Sequence, residues 1–138
     1  MGVILETSLL IGSERGTIRI TQFLESLASD TVAISSVTAS ELLHGCHRAR
    51  NTAIRVRRFA FVEALLDAIP VLPFGLAEAR LHAELWADLV KRGRMIGPHD
   101  LLIAATALAR GDGLATLNQQ EFKRVAGLRL VPVDRFVS

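Results

Sequence analysis

Four acids, Glu6, Glu41, Asp100 and Glu121, stand among runs of apolar residues, with Asn118 three positions before the last of them. Each adjoins a residue suited to opening a helix. Thr7 and Ser8 follow Glu6, and Glu41 closes TASE (38–41), three residues after Thr38. Asp100 closes GPHD (97–100), and Glu121 closes NQQE (118–121). Two kinds of chemistry fit this spacing. S/T/N-x-x-E/D is the capping-box pattern, and the helix dipole favours an acid in a first turn. The same dipole keeps a carboxylate ionised and ready for a cation. Four acids converging on one cleft need a cation to offset their repulsion. Oxygen donors without Cys or His suit Mg²⁺ or Mn²⁺ rather than zinc. Such an ion orients and deprotonates water for in-line attack on a phosphodiester, so no Ser or Cys nucleophile is required. For any one acid taken alone, capping and metal binding both remain open.

The elements that must position these residues follow from hydrophobic patterning. VILE (3–6), TVAIS (31–35), IPVLP (69–73), LATL (114–117) and LRLVPV (128–133) read as strands. Several are continuously apolar, as strands covered on both faces are. Helical periodicity runs over about 17–29, 37–49, 51–67, 75–92 and 98–110, with a short stretch near 119–125. This alternation predicts a single α/β domain over residues 1–138, three-layered α/β/α around a central parallel sheet. No linker, repeat or low-complexity tract interrupts it. In such a sheet the strand-to-helix turns lie at the carboxyl edge, where ligands bind at the switch point. The spacing puts Glu6, Glu41, Asp100, Asn118 and Glu121 at such turns. IGPHDLLIAATALARG (96–111) is apolar on almost every face and predicts a buried helix with Pro98 at its first position. An acid at the mouth of a buried helix must be capped, paired or bound to a cation. Asp100 reads as a ligand aimed by this helix, with capping as a second task.

Composition narrows the function classes. The chain has 138 residues, half of them hydrophobic, and a mean hydropathy of +0.35. No apolar run approaches the roughly 18–20 residues of a membrane span. MGVILETSLLIG lacks a basic leader region and is interrupted by Glu6, unlike a signal peptide. With Cys46 as the only cysteine, a reducing cytoplasm is expected, with no membrane association. A net charge of +2 permits contact with nucleic acid without demanding it. HGCH (44–47) offers too few ligands for structural zinc and reads as a packed thiol between imidazoles. Six Phe, one Trp and no Tyr make an open base-stacking platform a poor expectation. Trp86 belongs either to the core or to a dimer seam. No P-loop, dinucleotide fingerprint, G-x-S-x-G or H-E-x-x-H is present, and nucleoside triphosphate, NAD and serine hydrolase readings drop out.

VILETSLLI, SSVTASELLHG, IGPHDLLIAATALARG and LNQQEFKRVAGLRL, in this order, resemble the PIN-domain ribonucleases of the VapC type, toxin halves of prokaryotic toxin–antitoxin pairs. The resemblance spans nearly the whole chain. It implies a Mg²⁺- or Mn²⁺-dependent endoribonuclease that is a homodimer. It also implies a VapB-type antitoxin that holds the toxin inactive by inserting a C-terminal segment beside the active site. Carried across by motif, the first acid falls on Glu6, the second on Glu41 and the third on Asp100. The fourth polar position falls on Asn118, with Glu121 a further acid of that turn, and Glu6 and Asp100 are expected to share the metal. One motif departs from the pattern: the first normally reads DTS and here reads ETS. The extra methylene moves the carboxylate by about a bond length, and misplacement by about 1 Å can cost on the order of 10²-fold in rate. The alternative is therefore an attenuated module that pairs with an antitoxin, on operator DNA, without cleaving RNA. The stretch RARNTAIRVRR (48–58) carries Arg48, Arg50, Arg55, Arg57 and Arg58. It reads as a phosphate-gripping rim, as a solvated helix corner or as a dock for an acidic antitoxin segment. Arg55, Arg57, Arg58 and His99 are the residues expected to touch substrate.

Overall fold

The computed structural model describes all residues, 1–138. Strands β1 (Gly2–Leu5), β2 (Thr31–Ser35), β3 (Val71–Leu72) and β4 (Gly113–Ala115) form one parallel sheet in the order β3-β2-β1-β4. Two helices fill each crossover. They are α1 (Thr7–Arg15) and α2 (Ile20–Ser26), then α3 (Ser36–His47) and α4 (Thr52–Ala68), then α5 (Leu76–Arg92) and α6 (Pro98–Arg110). Helix α7 (Gln119–Phe122) follows β4, and a 3-10 turn at Asp134–Phe136 lies near the end. From β1 the chain moves outward through β2 to β3, then returns on the other side of β1 as β4. The order reverses between β1 and β4, so the ligand-receiving crevice lies at their carboxyl ends.

Alternation along β1 feeds two cores, one on each face of the sheet. Val3 and Leu5 join Leu9, Phe23, Leu42 and Val62, whereas Ile4 joins Leu89, Ile103, Leu114 and Phe122. The three-layer α/β/α arrangement follows from burial on both faces. Helix α6 is the most enclosed, with Leu101, Ile103, Ala104, Ala105, Thr106 and Ala107 all buried. Thr106 Oγ1 donates to the carbonyl of Leu102 at 2.9 Å, so the polar group in this run is satisfied within the helix. Gly111, at φ 68°, closes α6 in the left-handed conformation that glycine adopts without steric cost. A helix packed this tightly fixes its own first turn, and that turn carries Asp100. No helix is long and apolar enough to cross a membrane.

Several elements differ from the sequence expectation. Residues after Glu6 form α1, a helix of 9 residues that the sequence reading left unassigned although Glu6, Thr7 and Ser8 mark its start. The helix expected over 17–29 is confined to Ile20–Ser26. Gly16 ends α1 at φ 76°, and Ile18 pairs instead with Val137 in an antiparallel bridge. The strand expected at 69–73 shrinks to two residues between Pro70 and Pro73, neither of which has an N–H to donate. The strand expected at LATL (114–117) runs instead over Gly113–Ala115. LRLVPV is not a strand: Leu130 alone pairs, in an isolated bridge to Leu114, and Pro132 stops the ladder two residues later.

Candidate active site

The chain turns from β1 into α1 at Glu6, whose backbone is extended (φ −85°, ψ 157°) and which itself caps the helix. The capping roles expected of Thr7 and Ser8 are thus reversed. Glu6 N donates to Ala115 O at 2.9 Å, joining the ends of β1 and β4 at the switch point. The Glu6 side chain is buried, with the residue only 2% exposed. Its Oε2 accepts from Ser8 N at 3.1 Å, and its Oε1 accepts from Ser8 Oγ at 2.5 Å and from Thr116 Oγ1. A buried carboxylate is tolerable when donors replace its water in this way.

Glu41 sits in the second turn of α3 rather than at a strand–helix turn. Ser35 caps α3 through Val37 N at 2.9 Å, which leaves the expected cap, Thr38, buried inside the helix. Thr38 Oγ1 lies 3.0 Å from Thr7 Oγ1, and Thr7 donates to Glu41 Oε1 at 2.6 Å. On its other side, Glu41 Oε2 lies 3.4 Å from His99 Nδ1.

Asp100 also reaches the crevice by another route than expected, because α6 follows α5 and not a strand. The connecting loop, 93–97, is tied down from α7 and the turn beyond it. Glu121 Oε1 accepts from Gly97 N at 2.8 Å, and Arg124 Nη1 donates to Met95 O at 2.9 Å. Asp100 makes no capping bond, since α6 starts from Gly97 without a side-chain cap. Burial pushes its carboxyl up from 3.8 to about 7, helped by the charge of Glu6, by the charge of and a hydrogen bond with Glu121, and by the charge of Glu41. The positive end of α6 favours the ionised form, yet burial and like charge win. The four acids therefore act on one another across one cleft, and Glu41, Gly97, Pro98, His99 and Asp100 line about 330 Å³ of it.

Asn118 is exposed, and only its backbone is engaged, donating to Thr116 Oγ1 at 2.9 Å. Its side chain does not cap α7, contrary to expectation. Thr116 is the residue the sequence reading missed: it is fully buried and joins Glu6 to the β4–α7 turn. The available signal was a hydroxyl directly after a buried strand at the carboxyl edge.

The arginines divide. Arg48, Arg50 and Arg58, with Arg15, border a groove of about 750 Å³ between α1, α3 and α4, which runs up to Thr7, Glu41 and His99. Arg55 and Arg57 do not line it. Arg55 Nη2 and Arg58 Nη1 each donate to a carbonyl near the end of α3, Ala49 O at 3.2 Å and Gly45 O at 3.3 Å. Cys46 is the packed thiol, donating to Leu42 O at 3.4 Å, and burial raises its pKa. Trp86 is 52% exposed on α5 and so is not core.

No three Asp, Glu, His or Cys side chains converge as tightly as an all-protein metal cage requires. The donor set still fits a small hard cation. Such an ion takes one or two carboxylates and keeps several of its waters, and neutralising charge here would relieve the repulsion felt by Asp100. Gly97 contributes room: a Cβ there would come within 3.4 Å of Asp100 Oδ2 and 3.7 Å of Glu121 Oε1.

An α/β fold with an acidic crevice at the switch point of its sheet defines a class, and residues 3–128 match the family model of the PIN domain. The chain is 39% identical to ribonuclease VapC1 of Rickettsia felis, over 97% of this chain and 98% of that protein. It is 36% identical to the tRNA(fMet)-specific endonuclease VapC of Shigella flexneri, over 75% and 76% of the two chains. In the crystal structure of VapBC2 from Rickettsia felis bound to a promoter DNA fragment, one chain superposes with a TM-score of 0.87. That chain is 29% identical, with 95% of this chain and 98% of that one covered. The protein belongs to the VapC ribonucleases of the PIN-domain family, the toxin components of type II toxin–antitoxin systems.

Proposed function

We propose that this toxin is an endoribonuclease dependent on Mg²⁺ or Mn²⁺, with Glu6 and Asp100 as the metal-holding carboxylates. The observation that carries this reading is the raised pKa of Asp100, produced by burial and by Glu6, Glu121 and Glu41 together. A carboxyl that gives up its proton only near pH 7 gains most from a neighbouring cation. A bound divalent ion supplies a lowered pKa for water and charge neutralisation at the phosphodiester. The protein's own groups do the rest. Thr7 orients Glu41 from one side and His99 meets it from the other, which leaves Glu41 suited to accept a proton from attacking water. Glu121 anchors the loop that delivers Asp100, and Asn118 adds a polar edge on the same turn. Arg58, beside Arg48 and Arg50, grips RNA phosphates in the groove, with His99 at its inner end. Arg55 and Arg57, outside the groove, extend the basic field that draws RNA in.

The partner in this reading is a VapB-type antitoxin whose acidic segment occupies the same groove. The floor of that groove includes Leu10, Ile11, Ile54 and Phe61. Antitoxin and RNA would then compete for the same arginines, which is a direct way to hold a toxin silent. A cytoplasmic homodimer is the state in which we expect it to act. The test is cleavage of tRNA(fMet), chosen from the Shigella flexneri relative's name, by antitoxin-free protein with Mn²⁺ or Mg²⁺ and with EDTA. Cleavage abolished by EDTA and by Asp100→Asn supports the reading. If no RNA is cut while the protein still binds an antitoxin, the attenuated binding module replaces it.

A further inference from the structure

Glu6 is held by more donors than a helix cap needs. Two backbone N–H groups of the β4–α7 turn each donate to a hydroxyl, Leu117 N to Ser8 Oγ at 3.0 Å and Asn118 N to Thr116 Oγ1 at 2.9 Å. Both hydroxyls commit their single proton to one atom, Glu6 Oε1. The two hydroxyl oxygens lie 3.2 Å apart and bracket that atom. A carboxylate oxygen has about two acceptor sites, so Oε1 is saturated. Oε2 accepts only Ser8 N and keeps one site free. Each N–H to O–H to carboxylate chain is polarised along its length, which strengthens it in a buried setting.

We infer that Ser8 and Thr116 are positioning residues that lock Glu6 Oε1, so that Glu6 offers a divalent cation one site on Oε2 and no other. The inference rests on the metal-dependent reading given above. A free glutamate has three side-chain torsions and two equivalent oxygens, and could bind through either or both. Anchoring Oε1 removes that choice and takes up the length of the side chain. Neither hydroxyl touches the cation or the substrate; each acts through Glu6. Partners of this kind typically matter by about 10–100-fold in metal affinity or activity.

Thr116→Val removes the hydroxyl while keeping shape and burial, and Thr116→Ser keeps the hydroxyl. Two measurements on the purified full chain test the clamp. In metal-free protein, urea midpoints are compared for wild type, Thr116→Val, Glu6→Met and the double variant. Thr116→Val should lower the midpoint in the wild-type background and have clearly less effect beside Glu6→Met. In calorimetric titration with Mn²⁺, Thr116→Val should raise Kd by about 10–100-fold and Thr116→Ser should restore it. If Thr116→Val folds poorly, Ser8→Ala, which removes the second donor, carries the same comparison. Additive midpoints, or an unchanged Mn²⁺ affinity on losing the hydroxyl, overturn the clamp and leave the nuclease reading standing. A wild-type chain that binds no Mn²⁺ overturns both.

Discussion

Replacing Asp100 by Asn should stabilise this protein without metal and cripple it with metal. The rise of the Asp100 pKa from 3.8 to about 7 corresponds to about 4 kcal/mol at about 1.36 kcal/mol per pH unit. Asp100 is only half-buried, and solvent screening lowers the part expressed in stability to about 1–2 kcal/mol. Its folded pKa lies above its unfolded one, so the folded chain holds this proton more tightly. The favourable contribution is complete below about pH 4 and is lost as the pH rises through about 7. Asn cannot ionise and escapes that loss. In EDTA at pH 4, wild type and Asp100→Asn should melt together. In EDTA at pH 8 the variant should melt higher by about 3–7 °C. Mn²⁺ at about a hundred times its Kd adds about 2.7 kcal/mol to a protein that binds it only when folded. Wild type should gain that and the variant much less, so the order reverses. Thermal melts at the two pH values, with EDTA and with Mn²⁺, read all of this directly. Equal stability of the two proteins at pH 8 in EDTA, or the same gain at pH 4 and pH 8, would refute the reasoning.

Two further outcomes are expected. Arg50→Ala, inside the groove, should weaken binding to single-stranded RNA equally across sequences and flatten the slope of log K against log salt by about 0.7; Arg57→Ala, outside it, should leave the slope closer to wild type. Salt titrations of fluorescently labelled RNA separate these, and equal slopes for both variants would remove the groove from RNA binding. Gly97→Ala should leave folding nearly unchanged, because φ is −56° there and its methyl would meet Asp100 Oδ2 and Glu121 Oε1 at van der Waals distance, yet by filling space beside the two carboxylates it should weaken Mn²⁺ binding several-fold in calorimetry.

What could be read in the sequence was what local pattern carries. The apolar runs of β1 and β2 announce strands buried on both faces, and the unbroken apolar surface of α6 announces the buried helix that carries Asp100. Pro98 marks its start. Helix α1 was not read, although Glu6, Thr7 and Ser8 interrupt the apolar run where strand becomes helix, because its 9 residues, Thr7–Arg15, are too few to display a clear helical period. The route to Asp100 was misread for another reason. Strand-to-helix turns and helix-to-helix loops share the same capping residues, although the order of the elements, helix 75–92, helix 98–110 and then strand 114–117, already places Asp100 after a helix. For Thr116 the local pattern marks only a hydroxyl at the end of a buried strand; its bond to Glu6, 110 positions away, is seen only in the fold.

The glutamate at position 6 gains a different meaning once that bond is seen. As a departure from DTS it suggests a carboxylate displaced by about a bond length, with the rate loss that misplacement brings. That loss assumes a side chain free to carry its charge to the wrong place. Here the side chain is held against the first turn of α1, where Ser8 N donates to Oε2 and Ser8 Oγ to Oε1, and Thr116, just after β4, donates to Oε1 as well. The carboxylate so held is buried, with the residue 2% exposed. Length and position are thereby separated: the side chain is longer, but its carboxylate is fixed by donors on two elements that the sheet itself holds together. In this chain the place of the Glu6 carboxylate is thus set by the hydroxyls of Ser8 and Thr116 as well as by the length of its own side chain.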